Sequence, residues 1–179
     1  FPKNDEESEQ ARRQIIYQEF FLYQVRLQLL QLSRKTNNRG IPILYDVDKL
    51  KGFIATLPFE LTDGQKKVVN EICRDLRKPY EMNRLLQGDV GSGKTIVAVV
   101  ALMATVLGGY QGAFMVPTEI LAEQHYRTLQ SLFEYTDVSV ALLTGSTKAK
   151  DRKELLHRLA EGDLHILIGT HALIQEDVV

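Results

Sequence analysis

The sequence is short of cysteine, of net charge and of long apolar runs. Cys73 is the single cysteine among 179 residues, so no disulfide can form within the chain, and such usage suits a reducing cytoplasm. The formal net charge of −1 gives no broad basic field, so any contact with a polyanion must be local. No apolar run approaches the roughly 20 residues that span a bilayer, and there is no signal-peptide pattern.

Length and composition suit one globular α/β domain with an extension, since 44% of the residues are hydrophobic and 25% are charged. The chain begins at Phe1 without a methionine and stops at Val179 without any terminating signal. We therefore expect it to be a piece of a longer protein.

Residues from about Asp5 to Lys35 are expected to form one long helix. Acidic residues open this segment and basic residues lie near its end, as the helix dipole favours. Its apolar residues occupy more than one stripe, which predicts a helix packed on two sides, as in a brace between domains. Residues 41–58 are expected to form an irregular connector. Residues 1–58 would then be a helical linker, and residues 59–179 a separate domain.

The second domain alternates short apolar segments with amphipathic ones. After a helix that begins near Thr62, the pattern predicts strands and helices in turn, with short connections. Such alternation indicates an α/β fold in which a parallel sheet carries helices on both faces. The expected strands are Asn83–Gln87, Gly112–Val116, Val138–Leu143 and Leu164–Ile168.

A glycine-rich loop connects the first of these strands to the next helix. Its glycines let the backbone adopt left-handed angles and bring N–H groups against phosphates. Those amides lie at the positive end of the following helix, which favours anions. The spacing Gly-x-x-x-x-Gly-Lys-Thr therefore predicts a phosphate-binding loop made of Gly88, Asp89, Val90, Gly91, Ser92, Gly93, Lys94 and Thr95.

Two side chains of this loop carry the expected chemistry. Lys94 would place its ammonium between the terminal phosphates of a nucleotide, and the Thr95 hydroxyl is the expected ligand of Mg²⁺. We assign both as catalytic residues. The motif does not say what the energy of hydrolysis drives, because kinases, GTPases, transporters and helicases share it.

Three later segments end a strand with small or hydroxyl-bearing residues. Pro117 stops one strand, and Thr118 caps the helix expected over Thr118–Phe133, which leaves amides open to an anion. Thr144-Gly145-Ser146 and Gly169-Thr170-His171 follow the next two strands. Each segment alone is more often an ordinary helix cap, but together they would suit a phosphodiester backbone held without reading its bases. The expected contacts are Pro117, Thr118, Glu119, Thr144, Gly145, Gly169, Thr170 and His171.

In this order the motifs resemble those of superfamily 2 helicases. The strings Leu85–Thr95, Val116–His125 and Ile168–Gln175 are similar to those of RecG-type branched-DNA helicases, and the resemblance runs through most of the chain. It implies a RecA-like first motor domain that uses ATP and Mg²⁺ and binds branched or forked DNA. It also implies a role in DNA repair and recombination in the bacterial cytoplasm.

The resemblance extends to the rest of the parent protein. The long first helix is similar to the linker between the wedge domain and the motor of RecG-type helicases, and a second motor domain is expected as well. Transcription-repair coupling factors have a similar motor and stay an alternative. In that group an aromatic residue usually stands where this chain has Ser92, and Glu119 is usually replaced, so both positions favour the RecG type.

Thr62-x-x-Gln65 before an apolar helical run has the pattern of a capping box, which by itself can account for the pair. The resemblance adds a second role for Gln65. The similar Q motif of these helicases binds adenine through a glutamine amide, which is donor and acceptor together. Phe59 could pack against the base, although a core position is favoured for it, and Tyr80 is a weaker candidate.

The ends of the predicted strands carry no carboxylate that would hold magnesium and polarise the attacking water. In the helicases that this chain resembles, an Asp-Glu-x-His box follows Gly-Thr-His, so that box is expected beyond Val179. A phosphate-loop kinase or other small-molecule NTPase stays open as an alternative, as does a non-catalytic module with a nucleotide pocket.

We therefore predict that this chain hydrolyses ATP negligibly, while weak nucleotide binding survives. Lys94 and the loop amides can hold phosphates, but no acid in the expected place can activate the attacking water. Phosphate release is to be measured with and without DNA. Appreciable DNA-stimulated release by the purified chain would refute the prediction.

Overall fold

The computed structural model describes residues 4–37 and 40–174, which form helices and three short strands. The helices are α1 Asp5–Asn37, α2 Val47–Ala55, α3 Asp63–Leu76, α4 Lys94–Leu107, α5 Glu119–Phe133 and α6 Ala149–Ala160. The strands are β1 Gly112–Met115, β2 Val140–Leu143 and β3 Ile166–Gly169, and a 3-10 helix covers His171–Ile174. None of the described helices combines the length and the apolar character needed to cross a bilayer.

Backbone contacts divide the chain into two compact units. The first unit holds α1 and extends to Pro42, together with Lys78–Asn83. The second unit holds Ile43–Arg77 and the chain from Arg84 onwards, and with it every other described helix and strand. In this division residues 43–58, which we expected in the linker, group with the second unit.

The helix α1 matches the expected long helix at the N-terminus and runs to Asn37. Its first turn is acidic, where the helix dipole favours negative charge. Large apolar side chains along it are exposed, among them Tyr17 at 69% and Phe20 at 65%. The packing on two sides that the apolar pattern predicts is therefore not made by the described residues of this chain.

The three strands form one parallel sheet in the order β1-β3-β2. A helix lies in each connection, α5 between β1 and β2 and α6 between β2 and β3, as parallel strands require. The register pairs Gly169 with Met115 on one side and with Leu143 on the other, so the carboxyl ends of the strands lie side by side. The predicted α/β class with a parallel sheet is confirmed.

The central strand β3 is buried along its whole length, and its side chains alternate between two layers. Ile166 and Ile168 join the larger core, to which α2, α3, α4 and α5 contribute. Leu167 belongs to a smaller cluster with Leu143, against which Leu155 of α6 packs. Helices therefore cover both faces of the sheet, as expected.

Residues 41–58 are not the irregular connector that we expected, because they contain α2. The side chain of Asp46 accepts hydrogen bonds from two amides of the first turn, at 2.9 and 3.1 Å, and so caps the helix. Leu50 and Phe53 are buried, and the ring of Phe53 stacks on that of Phe133. The aspartate cap and the spacing of the two apolar residues were the signals that the sequence offered.

The strand expected at Asn83–Gln87 is absent, since neither helix nor strand is found between α3 and α4. A strand needs a hydrogen-bonding neighbour, and among the described residues no strand pairs with the outer edge of β1. Arg84 instead ties the segment to α3 through Asp75 and Glu71. Leu85 is 83% exposed. An apolar run of strand length does not reveal whether a partner strand is present.

Gly169→Ala is expected to destabilise the protein. A β carbon at this position would collide with the carbonyl oxygen of Leu143 in the neighbouring strand, so β2 and β3 would have to separate. Overpacking of this kind costs about 1–3 kcal/mol. At about 2–4 °C per kcal/mol for a chain of this size, the melting temperature should fall by several degrees in thermal unfolding followed by circular dichroism.

Gly52→Ala is the matched control, because Gly52 is exposed on α2 and a β carbon there meets nothing within 4 Å. Alanine is favoured over glycine inside a helix by about 0.5–1 kcal/mol, so this change should raise the melting temperature slightly. A Gly169→Ala protein as stable as the wild type would contradict the strand register.

Candidate functional site

The glycine-rich loop leads into α4 with a backbone that glycine adopts most easily. Gly91 has a φ of 82° and Gly93 a φ of 78°, both in the left-handed region. The N–H of Ser92 donates to the carbonyl oxygen of Asp89 at 3.2 Å and closes the turn. Val90 is fully exposed. The turn ends at Gly93, and α4 begins at the next residue.

The helix α4 starts without a side-chain cap, because its N-cap residue is Gly93. By contrast, side-chain oxygens of Asp46, Thr62 and Thr118 cap α2, α3 and α5. The first turn of α4 also contains no acidic residue. The first amides of a helix have no partner within it and carry the positive end of the helix dipole. An anion is the natural complement of such a helix start.

Lys94 is the first residue of α4, and its ammonium group bonds to the loop. Its Nζ donates to the carbonyl oxygens of Gly88 and Asp89, at 2.7 Å each. Thr95 follows and is half-buried. A phosphate at this turn would offer Lys94 charged oxygens in place of two neutral carbonyls, and charge-assisted hydrogen bonds are the stronger ones.

Gln65 connects α3 to the glycine-rich loop. Its Oε1 accepts from the N–H of Thr62 at 2.9 Å, and Thr62 Oγ1 accepts from the N–H of Gln65 at 3.3 Å, so the expected capping box is confirmed. The Nε2 of Gln65 also donates to the carbonyl oxygen of Ser92 at 3.0 Å. A β carbon at Gly93 would collide with this Nε2, so the Gln65 side chain would have to shift away from it.

A cleft of about 270 Å³ opens between α3 and the loop. Its lining combines the apolar side chains of Val68, Leu86 and Val97 with polar groups that include Gln65 and Lys94. Apolar walls with a few polar groups are typical of small-molecule sites. The fold thus brings the expected adenine contact and the expected phosphate contact to one cleft.

The two aromatic candidates for packing against the base lie elsewhere. Phe59 is 49% exposed, so the core position that we favoured for it is wrong. It lines a different cavity, of about 730 Å³, together with Lys66, and does not line the cleft at Gln65. Tyr80 belongs to the first compact unit, where Lys78 Nζ lies 5.5 Å from the centre of its ring.

The three segments expected to contact DNA emerge at the carboxyl edge of the sheet. Pro117 and Thr118 follow β1, Gly169–His171 end and follow β3, and Thr144–Ser146 follow β2. Because the strands are parallel and in register at this edge, the segment after β3 lies between the other two. Gln175, the last residue of the third helicase-like string, lies outside the described residues.

The side chains at this edge differ in what they can offer a ligand. Thr144 is only 5% exposed, and its hydroxyl lies 2.8 Å from Ser146 Oγ, so that hydroxyl is used within the loop. Gly145 is exposed and Thr170 is half-buried. His171 is exposed at the start of the 3-10 helix. The backbone at Gly145 and the side chain of His171 are therefore accessible at this edge, whereas the Thr144 hydroxyl is not.

Glu119 makes contacts that the sequence did not reveal. Its Oε1 accepts from the N–H of Ser146 at 3.2 Å, and its Oε2 accepts from the hydroxyl of the same residue at 2.9 Å. We expected Glu119 to contact DNA directly, whereas both of its carboxylate oxygens bond to the loop after β2. The partners are 27 residues apart, so no local pattern could have indicated this pair.

Arg84, unlike Glu119, is a residue that the sequence patterns did not single out. Its Nε donates to Asp75 at 2.5 Å and one terminal nitrogen donates to Glu71 at 2.8 Å. Hydrogen bonds to the Asp75 and Glu71 carboxylates raise the pKa of Arg84. The ion pairs hold the chain just before the loop against α3, the helix that also carries Gln65.

Metal binding at this site would depend on the nucleotide. Within the described part of the chain, no three His, Cys, Asp or Glu side chains come together as a metal site. Mg²⁺ commonly binds through few protein ligands together with substrate phosphates and water. The half-buried Thr95 at the start of α4 fits this mode, in which its hydroxyl and phosphate oxygens would share the ion.

Comparison with known proteins identifies the family. Residues 62–179 match the DEAD/DEAH box helicase family. The chain is 56% identical to the ATP-dependent DNA helicase RecG of Bacillus subtilis (strain 168) over 177 residues, which are 99% of this chain and 26% of that protein. It is 54% identical to RecG of Staphylococcus aureus (strain NCTC 8325 / PS 47) over 178 residues, with the same coverage. The chain thus spans about a quarter of the length of these relatives.

Solved structures agree with this family and with the fold. A structure of RecG bound to a three-way DNA junction matches with a TM-score of 0.87 and 44% identity, covering 100% of this chain and 24% of that one. A hypothetical ATP-dependent RNA helicase from Sulfolobus tokodaii matches with a TM-score of 0.54 at 20% identity, over 75% of this chain and 38% of that one, which shows the fold alone. The resemblance to RecG and the RecA-like fold are confirmed. The chain belongs to the DEAD/DEAH box helicase family.

Proposed function

We propose that this chain is the nucleotide-binding part of the first motor domain of a RecG-type, ATP-dependent DNA helicase, preceded by a helical linker. The whole protein would remodel branched DNA, through fork reversal and branch migration, in DNA repair and recombination in the bacterial cytoplasm. The observation that carries the proposal is the uncapped start of α4 behind the left-handed Gly93. The similarity to RecG over 99% of the chain supports DNA as the substrate.

Nucleotide binding would begin with an exchange of partners at Lys94. Its ammonium leaves the carbonyl oxygens of Gly88 and Asp89 for the terminal phosphate oxygens. The amides of the loop and of the first turn of α4 then surround the phosphates. Thr95 Oγ1 would help to hold Mg²⁺, which would offset the charge of the phosphates. Bound ATP supplies the phosphoanhydride bond whose hydrolysis drives movement.

Gln65 would bind adenine while it holds the loop. Its Nε2 has a second hydrogen beyond the one given to Ser92, and its Oε1 has a second lone pair beyond the one used by Thr62. These positions can donate to adenine N7 and accept from the exocyclic amine, which selects ATP over GTP. One side chain would then link base recognition to the loop that binds the phosphates.

The carboxyl edge of the sheet would hold a DNA strand by its backbone. The segments after β1, β3 and β2 lie side by side there, and backbone amides and hydroxyls in such segments bind phosphates irrespective of base sequence. The helix α6 also starts without a side-chain cap, at Lys148, so its first amides can face an anion. The RecG relative solved on a three-way DNA junction supports this choice of partner.

The test of the function is coupling between nucleotide and DNA. The chain is expected to bind single-stranded and forked DNA at low salt, with an affinity that changes when Mg²⁺ and a non-hydrolysable ATP analogue are added. Fluorescence anisotropy measures the affinity, and its logarithm should fall with the logarithm of salt concentration by about 0.7 per phosphate contacted on a single strand. Lys94→Ala should keep DNA binding and lose the effect of the nucleotide.

Lys51→Ala is the matched control for Lys94→Ala. Lys51 pairs with Asp48 at 3.5 Å on the exposed surface of α2, and such ion pairs contribute little to stability. This variant should keep both DNA binding and the nucleotide effect. Nucleotide binding by a wild-type chain with no affinity for DNA would contradict the helicase function and favour a small-molecule NTPase.

Gln65→Glu is expected to weaken recognition of the adenine base while the protein stays folded. A carboxylate still accepts from the N–H of Thr62, so the cap of α3 survives, but it cannot donate to the Ser92 carbonyl or to adenine N7. We expect a small loss of thermal stability and a loss of affinity for the ATP analogue of about tenfold or more. Isothermal titration calorimetry measures the affinity.

Gln130→Glu makes the same change in charge at a distant amide, whose Nε2 donates to the Tyr126 hydroxyl at 2.8 Å. This control should bind the analogue as the wild type does. If the Gln65→Glu chain also binds the analogue with wild-type affinity, then Gln65 does not contact the base and the capping box is its whole role.

A further inference from the structure

The carboxylate of Glu119 joins two loops that follow different strands. Glu119 is the first residue of α5, just after β1, whereas Ser146 follows β2. Oε1 and Oε2 of Glu119 accept from the N–H and the hydroxyl of Ser146, at 3.2 and 2.9 Å. In the sheet β3 lies between β1 and β2, so this contact connects segments on either side of the end of β3, at Gly169.

The loop that Glu119 contacts is also bonded internally. The hydroxyls of Thr144 and Ser146 lie 2.8 Å apart, and the N–H of Thr144 donates to Thr147 Oγ1 at 3.0 Å. The N–H of Thr147 returns a bond to the Thr144 carbonyl oxygen at 3.2 Å. A β carbon at Gly145 would lie 3.2 Å from Glu119 Oε1, so the carboxylate fits closely against the tip of this loop.

Glu119 is poorly suited to contact DNA itself. Its carboxylate and a phosphodiester are both anions and repel each other. Both of its oxygens already accept hydrogen bonds from Ser146. The helix dipole explains an acid in the first turn of α5, but it does not explain two bonds to a residue 27 positions later.

We propose that Glu119 is a positioning residue for the DNA backbone. It fixes the loop Thr144–Thr147 relative to the start of α5, so that the N–H of Gly145 at the tip of that loop and the first amides of α5 are spaced to meet the phosphates of one strand. The spacing of phosphates is a property of the nucleic acid, and the donors must match it. This proposal rests on the proposed DNA-binding edge and replaces the direct DNA contact expected for Glu119.

Two substitutions separate the hydrogen bonds of Glu119 from its charge. In Glu119→Gln the side-chain oxygen still accepts from the N–H of Ser146, and the new amide donates to the Ser146 hydroxyl. That hydroxyl can turn its own hydrogen to Thr144 Oγ1, so the network survives with the bonds from Ser146 Oγ to residue 119 and to Thr144 both reversed. Glu119→Ala removes both acceptors.

The experiment measures two properties of this chain in each variant, amide hydrogen exchange at Ser146 by NMR and affinity for single-stranded DNA. Glu119→Ala should speed the exchange about tenfold or more and weaken DNA binding about tenfold. Glu119→Gln should keep the wild-type exchange rate and bind DNA at least as tightly, since a negative charge beside the phosphates is gone. Glu123→Gln removes the same charge from an exposed position on α5 and should leave the exchange at Ser146 unchanged.

Unchanged exchange at Ser146 in Glu119→Ala would overturn the proposal, whatever the DNA affinity. Equal weakening of DNA binding by both Glu119 variants, with Ser146 still protected in Glu119→Gln, would also overturn it, because the carboxylate would then act directly. A wild-type chain that does not bind DNA would overturn the DNA-binding edge and this proposal together. If the wild-type chain binds DNA but the Glu119 variants give one of the first two results, only the positioning role of Glu119 is wrong.

Discussion

The start of α4, which no side chain caps, is the feature on which the rest of the structure depends. Gly93 lets the chain enter the helix in a left-handed conformation and brings no side chain that could cap it. Gln65 holds the loop through the Ser92 carbonyl, and Arg84 holds the chain before the loop. Gln65 is part of α3, and the two carboxylates that bind Arg84 are also on α3. The helix α3 therefore holds both the loop and the segment before it. The capping box at the N-terminus of α3 includes Gln65, the residue that bonds to the loop.

Parallel pairing explains why the other candidate residues share one edge. A buried central strand aligns the ends of its two neighbours, so the segments after β1, β3 and β2 emerge together. Gly169 permits the close approach of β2 at that edge, and Glu119 connects the outer two segments. The sheet edge and the cleft at Gln65 belong to the same compact unit, in which β1 packs on α4.

Local patterns were sufficient to predict most of the fold and, around the candidate site, two helix caps and the turn into α4. The caps at Thr62 and Thr118 and the turn into α4 are encoded within a few residues each. The prediction of a strand at residues 83–87 was wrong, because an apolar run does not show whether a neighbouring strand exists to pair with it. Arg84 bonds to residues 9 and 13 positions away in the sequence, and Glu119 bonds to a residue 27 positions away. Helix and strand periodicity cannot predict contacts between residues so far apart in the sequence.

Backbone amides at the start of α4 are expected to bind a triphosphate. NMR can follow the amide resonances of the chain during titration with a non-hydrolysable ATP analogue and Mg²⁺. We expect the largest shift changes at Gly91, Gly93, Lys94 and Thr95, with a change at the side-chain amide of Gln65. Unchanged resonances at these residues under saturating analogue, or shifts confined to the cavity that Phe59 lines, would contradict this expectation.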